Sequence, residues 1–251
     1  MDISKLFGEK FKASLNNFEK NRKIYHEVFD NRLYNSISKL YSKKVLDTME
    51  GLISTGKEAN IFLAHKNDKK IVLKIFRRET TSFSKFLEYV ESDPRFPVIK
   101  KNRAMISNLM AQKEFRNLKL AERFGCLAPK SIKFIDNIVV MDCIGDPEVT
   151  LDKLNKSEIE ANKEKIFKGI EDNMKALKKG RLVHGDLSEY NIIFSKDVYF
   201  IDMSQSTTYD NPRAKKFYLK DLQNIKKLFE RYKYNSEFVE KEIGGLIWIL
   251  T

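Results

Sequence analysis

The chain has 251 residues, 42% of them hydrophobic, and its 47 Lys and Arg against 35 Asp and Glu give a formal charge of +12. That length and apolar content support one large domain or two small lobes with a packed core, and they exclude a disordered chain. No apolar run approaches the roughly 20 residues that cross a bilayer, and the lysine-bearing start lacks the apolar stretch of a secretory signal; both point to a soluble, cytoplasmic protein with no membrane partner.

Residues 1–48 are polar and lysine-rich, and Phe11, Phe18, Tyr25 and Phe29 recur at loosely helical spacing, which predicts a helical extension. From Gly51 to Ala64 the pattern reads as a strand, a tight glycine turn and a returning strand. A third strand, Lys70–Phe76, follows the polar turn Lys66-Asn67-Asp68. Residues 77–101 lack periodicity, contain Pro94 and Pro97, and read as one long, mobile loop, which at that length is functional or disordered. A long helix is predicted from Arg103 to Phe124, with Gly125 as its stop.

A hairpin around Asp136-Asn137 joins Ser131–Ile135 to Ile138–Ile144. Ser157 with Glu160 is read as a capping box. Ile159, Ile166, Phe167, Ile170, Met174 and Leu177 mark the buried face of the helix it opens, and Gly180 closes that helix. Short strands at 182–183, 192–194 and 198–201 precede a last main helix over 213–232. Strands with one long helix, then mostly helices, predict an α+β fold with two lobes.

Three groups of residues carry chemistry. In Val183-His184-Gly185-Asp186-Leu187-Ser188-Glu189-Tyr190-Asn191, a carboxylate and an amide lie five positions apart in a loop between apolar strands. Phosphoryl transfer needs a carboxylate to orient the attacking hydroxyl and accept its proton, with an oxygen ligand for magnesium close by. Asp186 and Asn191 supply these groups; the competing reading is a buried loop in which both merely cap backbone groups. Asp202 ends the apolar strand before Met203; a lone carboxylate there is more often a turn residue, but beside the preceding motif it is read as completing a magnesium site with Asn191.

Lys74 shares a strand face with Val72 and Phe76, where an unpaired ammonium would be costly. Nucleotide phosphates and a helix carboxylate are its expected partners. Glu114 is preferred to Glu122 for that carboxylate, because Leu118 and Ala121 continue its face inward. Ser54, Thr55 and Lys57 lie in a glycine turn whose backbone amides could cover phosphates, although a plain hairpin turn has the same pattern and the Walker spacing is absent. Cys126 and Cys143 stand in apolar surroundings without metal-ligand spacing and read as small buried thiols. The positive charge suits RNA and nucleotides, yet lysines scattered along helices also make an ordinary solvated face.

Taken together, the loop from Ser54 to Asn60, Lys74, the segment Lys113–Leu118, Met141–Gly145, His184–Asn191 and Ile201–Ser206 resemble the RIO family of atypical serine protein kinases. Within it they are most similar to the Rio-one branch in its short archaeal form, over roughly residues 45–232. The resemblance implies a bilobal protein-kinase-like fold: an extension over 1–48, an N-lobe of antiparallel sheet plus long helix over 49–144, a hinge at 141–145, and a mostly helical C-lobe over 145–251. It implies ATP and Mg2+ as cofactors, with Mn2+ as the alternative ion.

The same resemblance makes Asp186 the catalytic base, Asn191 a metal ligand, and Asp202 a metal ligand that also accepts phosphate. Lys74 would hold the phosphates and pair with Glu114. Met141 would border the adenine, with the backbone of Asp142 and Ile144 binding the base. The loop over 77–101, with Asp93-Pro94-Arg95-Phe96, resembles the branch's flexible loop, and Asp221 would brace the catalytic loop. The G-x-G-x-x-G loop, the D-F-G triplet and the A-P-E segment of other protein kinases are absent, and with them the peptide-docking platform.

The implied activity is a serine kinase or ATPase that phosphorylates itself and serves small ribosomal subunit maturation on pre-rRNA. The alternatives are a small-molecule kinase of the aminoglycoside or choline type, which usually carries a larger helical lobe, and a nucleotide-gated ribosome-binding factor.

Overall fold

A computed structural model describes residues 31–78, 92–96, 103–145 and 149–250. The extension expected before residue 31 and most of the loop expected over 77–101 lie outside the described residues. The chain divides into two compact units. Among the described residues, the first comprises 31–78, 103–115 and 131–143; the second comprises 92–96, 116–130, 144–145 and 149–250.

In the first unit, helix α1 (Asn31–Ser42) precedes strands β1 (Thr48–Thr55), β2 (Ala59–Lys66) and β3 (Lys69–Phe76). Helix α2 (Arg103–Arg123) follows, with its residues up to 115 in this unit, and then come β4 (Ser131–Ile135) and β5 (Ile138–Asp142). The five strands form one sheet in the order β1-β2-β3-β5-β4, and every neighbouring pair is antiparallel. Asn67 and Asp68 join β2 to β3 with φ of 46° and 61°. Two successive positive φ values suit a tight hairpin, and short polar side chains tolerate them best.

Leu33, Ile37 and Leu40 recur every three or four residues along α1, the spacing of one helix face. They form a core with Phe62, Ala64, Leu73, Ile75 and Val140. Alternation along β3 then turns Lys74 to the other face of the sheet. In the β3–β5 register Lys74 stands opposite Val139, and Val72 stands opposite Met141. β3 is buried on both faces from Ile71 to Phe76.

The second unit holds α3 (Lys156–Ala161), α4 (Lys163–Lys179), β6 (Leu182–Val183), β7 (Ile192–Phe194), β8 (Val198–Phe200), β9 (Thr207–Thr208), α5 (Ala214–Arg231) and α6 (Glu237–Leu250). β6 pairs with β9, and β7 pairs with β8. Phe167 of α4 lies 5.0 Å from the Phe229 ring of α5 and 5.1 Å from Tyr234. Gly169 lets α4 approach β8, since a Cβ there would stand 2.7 Å from a Val198 methyl. Asn173 ties the same elements by polar bonds: its amide donates to the Val198 carbonyl at 2.8 Å and its oxygen accepts from the Leu127 N–H at 2.7 Å.

Three local expectations change. The capping box belongs to Asn155 and Glu158, two residues before the Ser157–Glu160 pair with the same spacing. Asn has the side-chain oxygen a cap requires, so either pair satisfies the sequence rule. The single helix expected from there breaks at Asn162 into α3 and α4. Residues 92–96 form a turn that buries Asp93, 1% exposed, and Phe96, 5% exposed, while Pro94 stays at the surface.

Candidate active site

In the first unit, β3 delivers Lys74 to α2. Its Nζ lies 3.0 Å and 2.9 Å from the two carboxylate oxygens of Glu114, and the two side chains are 7% and 1% exposed. The ammonium also lies 5.0 Å from the Phe76 ring centroid. A charge pair this dry is costly unless both partners are satisfied. Glu114 therefore takes the carboxylate place, while Glu122 makes weaker pairs with Lys119 and Lys130 at the surface.

Ser54, Thr55 and Lys57 sit at the exposed β1–β2 turn. The Gly56 N–H donates to the Ala59 carbonyl at 2.9 Å. A Cβ at Gly56 would stand 3.1 Å from that same carbonyl, so the residue is small for a local reason. Arg77 steadies the returning strand: its N–H donates to the Glu58 carbonyl, and its guanidinium donates to Asn60 at 3.1 Å. Met141 and Asp142 end β5, with Met141 buried, and Ile144 follows in the second unit.

In the second unit, Asp186, Asn191 and Asp202 are joined through backbone and side-chain bonds. The Asn191 amide donates to the Asp186 carbonyl at 2.8 Å, which turns its Oδ1 acceptor away from that carbonyl. The Ile201 N–H donates to the Asn191 carbonyl at 3.0 Å. His184, 1% exposed, places Nε2 at 3.0 Å from the Ile201 carbonyl, and its Nδ1 accepts from the Asp186 N–H at 3.4 Å. This network calls for the Nε2–H tautomer. The histidine thus holds the Asp186 loop to the strand end carrying Asp202.

Asp221 fixes the loop from below. Its two oxygens accept from the Gly185 and Leu187 N–H groups, each at 2.8 Å. Burial pushes its carboxyl up to about 7, the two backbone bonds pull against that, and the nearby Asp186 charge adds to the rise. Lys220, one residue earlier on α5, reaches the Asp186 carboxylate at 2.9 Å. Asp202 adopts the left-handed conformation, φ 60° and ψ 67°, and caps the 3-10 turn Met203–Gln205. Its Oδ1 accepts the Ser204 hydroxyl at 2.6 Å. Among the described residues no three His, Cys, Asp or Glu side chains gather as a metal-binding group.

A sequence model of the RIO domain matches residues 60–243. The chain belongs to the RIO family. "RIO-type serine/threonine-protein kinase Rio1" of Methanocaldococcus jannaschii is 35% identical over 251 residues, 94% of this chain and 86% of that relative. The protein of the same description from Haloferax volcanii is 35% identical over 211 residues, 83% of this chain and 72% of the relative. Among solved structures, the Rio2 kinase–ADP/Mg2+–phosphoaspartate complex from Chaetomium thermophilum matches with a TM-score of 0.63 at 22% identity. That match covers 84% of this chain and 65% of the other, just under two thirds of its length. The protein has the α+β kinase-like fold of a RIO-type serine/threonine kinase.

Within this RIO domain the structure adds residues that sequence reasoning passed over. Lys220 had no signal beyond its place beside Asp221. His184 stood inside a recognised motif, but its bracing role depends on where the Ile201 carbonyl falls. Ser204 follows Asp202 by two residues, a spacing at which a hydroxyl can meet a carboxylate. Cys126 is buried, and burial pushes its thiol up to about 12; Cys143 is half-buried. No described helix is long and apolar enough to cross a membrane.

Proposed function

We propose that this chain transfers the γ-phosphoryl group of ATP, with Mg2+, to a serine hydroxyl and to itself, and hydrolyses ATP when no hydroxyl is offered. The observation that carries this reading is the linked set Asp186, Asn191 and Asp202, held by His184 and Asp221. Lys74, fixed by Glu114, binds the α- and β-phosphates. Ser54, Thr55 and Lys57 cover the phosphates, and Met141, Asp142 and Ile144 meet the adenine.

The donors at Asn191 and Asp202 fit magnesium: an amide oxygen and a carboxylate are the hard ligands it prefers, with phosphate and water filling the shell. A bound ion would neutralise charge on the phosphates. Asp186 orients the attacking hydroxyl and takes its proton as the new O–P bond forms and the bond to the bridging oxygen of ADP breaks. Lys220 holds the Asp186 carboxylate in place beforehand.

The same reading lets Asp202 accept the phosphoryl group, since one carboxylate oxygen can displace ADP without giving up a proton. The Rio2 structure from Chaetomium thermophilum is described as a phosphoaspartate complex, which supports this chemistry here. The formal charge of +12 supports docking on rRNA of a small ribosomal subunit precursor, in the cytoplasm.

Stability of the labelled protein formed with radioactive ATP separates the two acceptors. Label lost in hydroxylamine and absent from Asp202→Asn marks an aspartyl phosphate, whereas label resistant to hydroxylamine marks phosphoserine. Absence of any label and of phosphate release, in both the native chain and Asp186→Ala, overturns the function.

A further inference from the structure

The turn at residues 92–96 has no part in the chemistry above, yet it is tied to the segment that follows Asp202. Arg95 grips Asp93 with three bonds: its backbone N–H and Nε donate to one carboxylate oxygen at 3.1 Å and 2.9 Å, and a terminal nitrogen donates to the other at 2.7 Å. Its other terminal nitrogen donates to the side-chain oxygen of Asn117 at 2.9 Å. The nitrogen that meets Asp93 also approaches the Ser206 carbonyl at 3.3 Å. The guanidinium groups of Arg95 and Arg116 lie 5.4 Å and 5.5 Å from the Phe96 ring centroid.

Two side chains complete the connection. Asn117, fully buried, donates to the carbonyls of Met203 at 2.8 Å and Ser206 at 2.7 Å. The Thr207 hydroxyl donates to Asp93 at 2.8 Å, and accepts from Asn211 at 3.0 Å. Residues 203, 206 and 207 are therefore held by groups from residues 93, 95 and 117, far away in sequence.

The turn so held begins with Asp202 at φ 60°, a left-handed conformation that a non-glycine residue adopts only at a cost. Such a conformation persists only where its surroundings over-determine it. A buried ion pair is a poor means of adding stability, because desolvation cancels most of the attraction. A guanidinium is a good means of fixing direction, because its donors form a planar fork. Here the fork sets the Asn117 amide, which in turn sets two carbonyls of the turn.

We propose that Asp93 and Arg95 are positioning residues that hold the Asp202 turn in the conformation presenting its carboxylate to a divalent ion. This rests on the reading of Asp202 as a metal ligand. Groups that hydrogen-bond a metal ligand change metal affinity roughly 10- to 100-fold; Asp93 and Arg95 act one step further out, through Asn117, Ser206 and Thr207, which points to the lower end of that range.

The test uses the full chain with ADP and measures Mn2+ binding by electron paramagnetic resonance. Asp93→Asn, Thr207→Val and Asp202→Asn are compared with the native chain, with folding checked by circular dichroism and metal-free ADP affinity measured in EDTA. The expected result is Mn2+ affinity weakened by roughly 10-fold or more in Asp93→Asn and by less in Thr207→Val, with metal-free ADP affinity retained. Unchanged Mn2+ affinity in folded Asp93→Asn and Thr207→Val, together with its loss in Asp202→Asn, overturns the positioning role and leaves Asp202 as ligand. Unchanged affinity in Asp202→Asn overturns both. Should Asp93→Asn fail to fold, Thr207→Val, which removes one hydroxyl, decides the matter.

Discussion

The Lys74–Glu114 pair shows how one side chain can be costly alone and useful in company. Both groups are nearly dry and lie about a hydrogen bond apart. Glu114→Gln leaves an ammonium buried without its carboxylate, and losing one partner of such a pair costs about 3–5 kcal/mol. We expect a lower unfolding midpoint and weaker ATP binding. The double replacement Lys74→Met with Glu114→Leu recovers much of the stability but none of the ATP binding. Recovery of both would remove Lys74 from the nucleotide site.

Asp221 gives a prediction of opposite sign to an ordinary carboxylate. Its carboxyl rises from 3.8 to about 7 on burial. The folded state therefore holds the proton more tightly than the unfolded one. The resulting stability is fully present below about pH 4 and is lost as pH climbs to about 7. Measured by denaturant unfolding, the stability of the native chain relative to Asp221→Asn should fall over that range. A flat or rising difference contradicts the burial argument. Asp186, Asn191 and Lys74 could be singled out from the sequence because each chemistry-bearing type stands in an apolar frame. Lys220 and Ser204 could not, since contacts of lysine and serine depend on backbone placement that no short-range pattern encodes.

Among the elements, the strands and the long helix were readable from alternation and from Gly125. The last helix, α6, was not anticipated: Gly244 and Gly245 lie inside it, and paired glycines argue against helix interiors. The turn at 92–96 was hidden for a related reason. Pro94 and the missing periodicity describe a loop, while the bonds that bury Asp93 come from Thr207 and Arg95. The α4–β8 contact offers a direct test. Gly169→Ala improves helix propensity but forces a methyl toward Val198. Overpacking of this kind costs about 1–3 kcal/mol, so the unfolding midpoint should drop. A rise in the midpoint would show that the strand yields easily.

At the scale of the molecule, each of the two compact units carries residues of the proposed chemistry. The first presents a buried lysine–glutamate pair on a five-stranded sheet. The second presents two carboxylates and an amide on a loop and a strand end, fastened by a histidine and a buried aspartate. The α+β order of elements was legible because strands precede most helices. Residues 92–96 and 116–130 group with the second unit although they precede Ser131 in the chain. Compactness depends on contacts, and sequence order alone does not reveal them.

The central claim is magnesium-dependent phosphoryl transfer oriented by Asp186. The most direct measurement follows label from γ-labelled ATP into protein and free phosphate, with and without Mg2+, for the native chain and Asp186→Asn. General-base catalysis contributes roughly 10²- to 10⁴-fold. Label transfer or phosphate release should require Mg2+ and drop by that order in a folded Asp186→Asn chain. Equal rates in the two chains, or turnover indifferent to Mg2+, would contradict that claim.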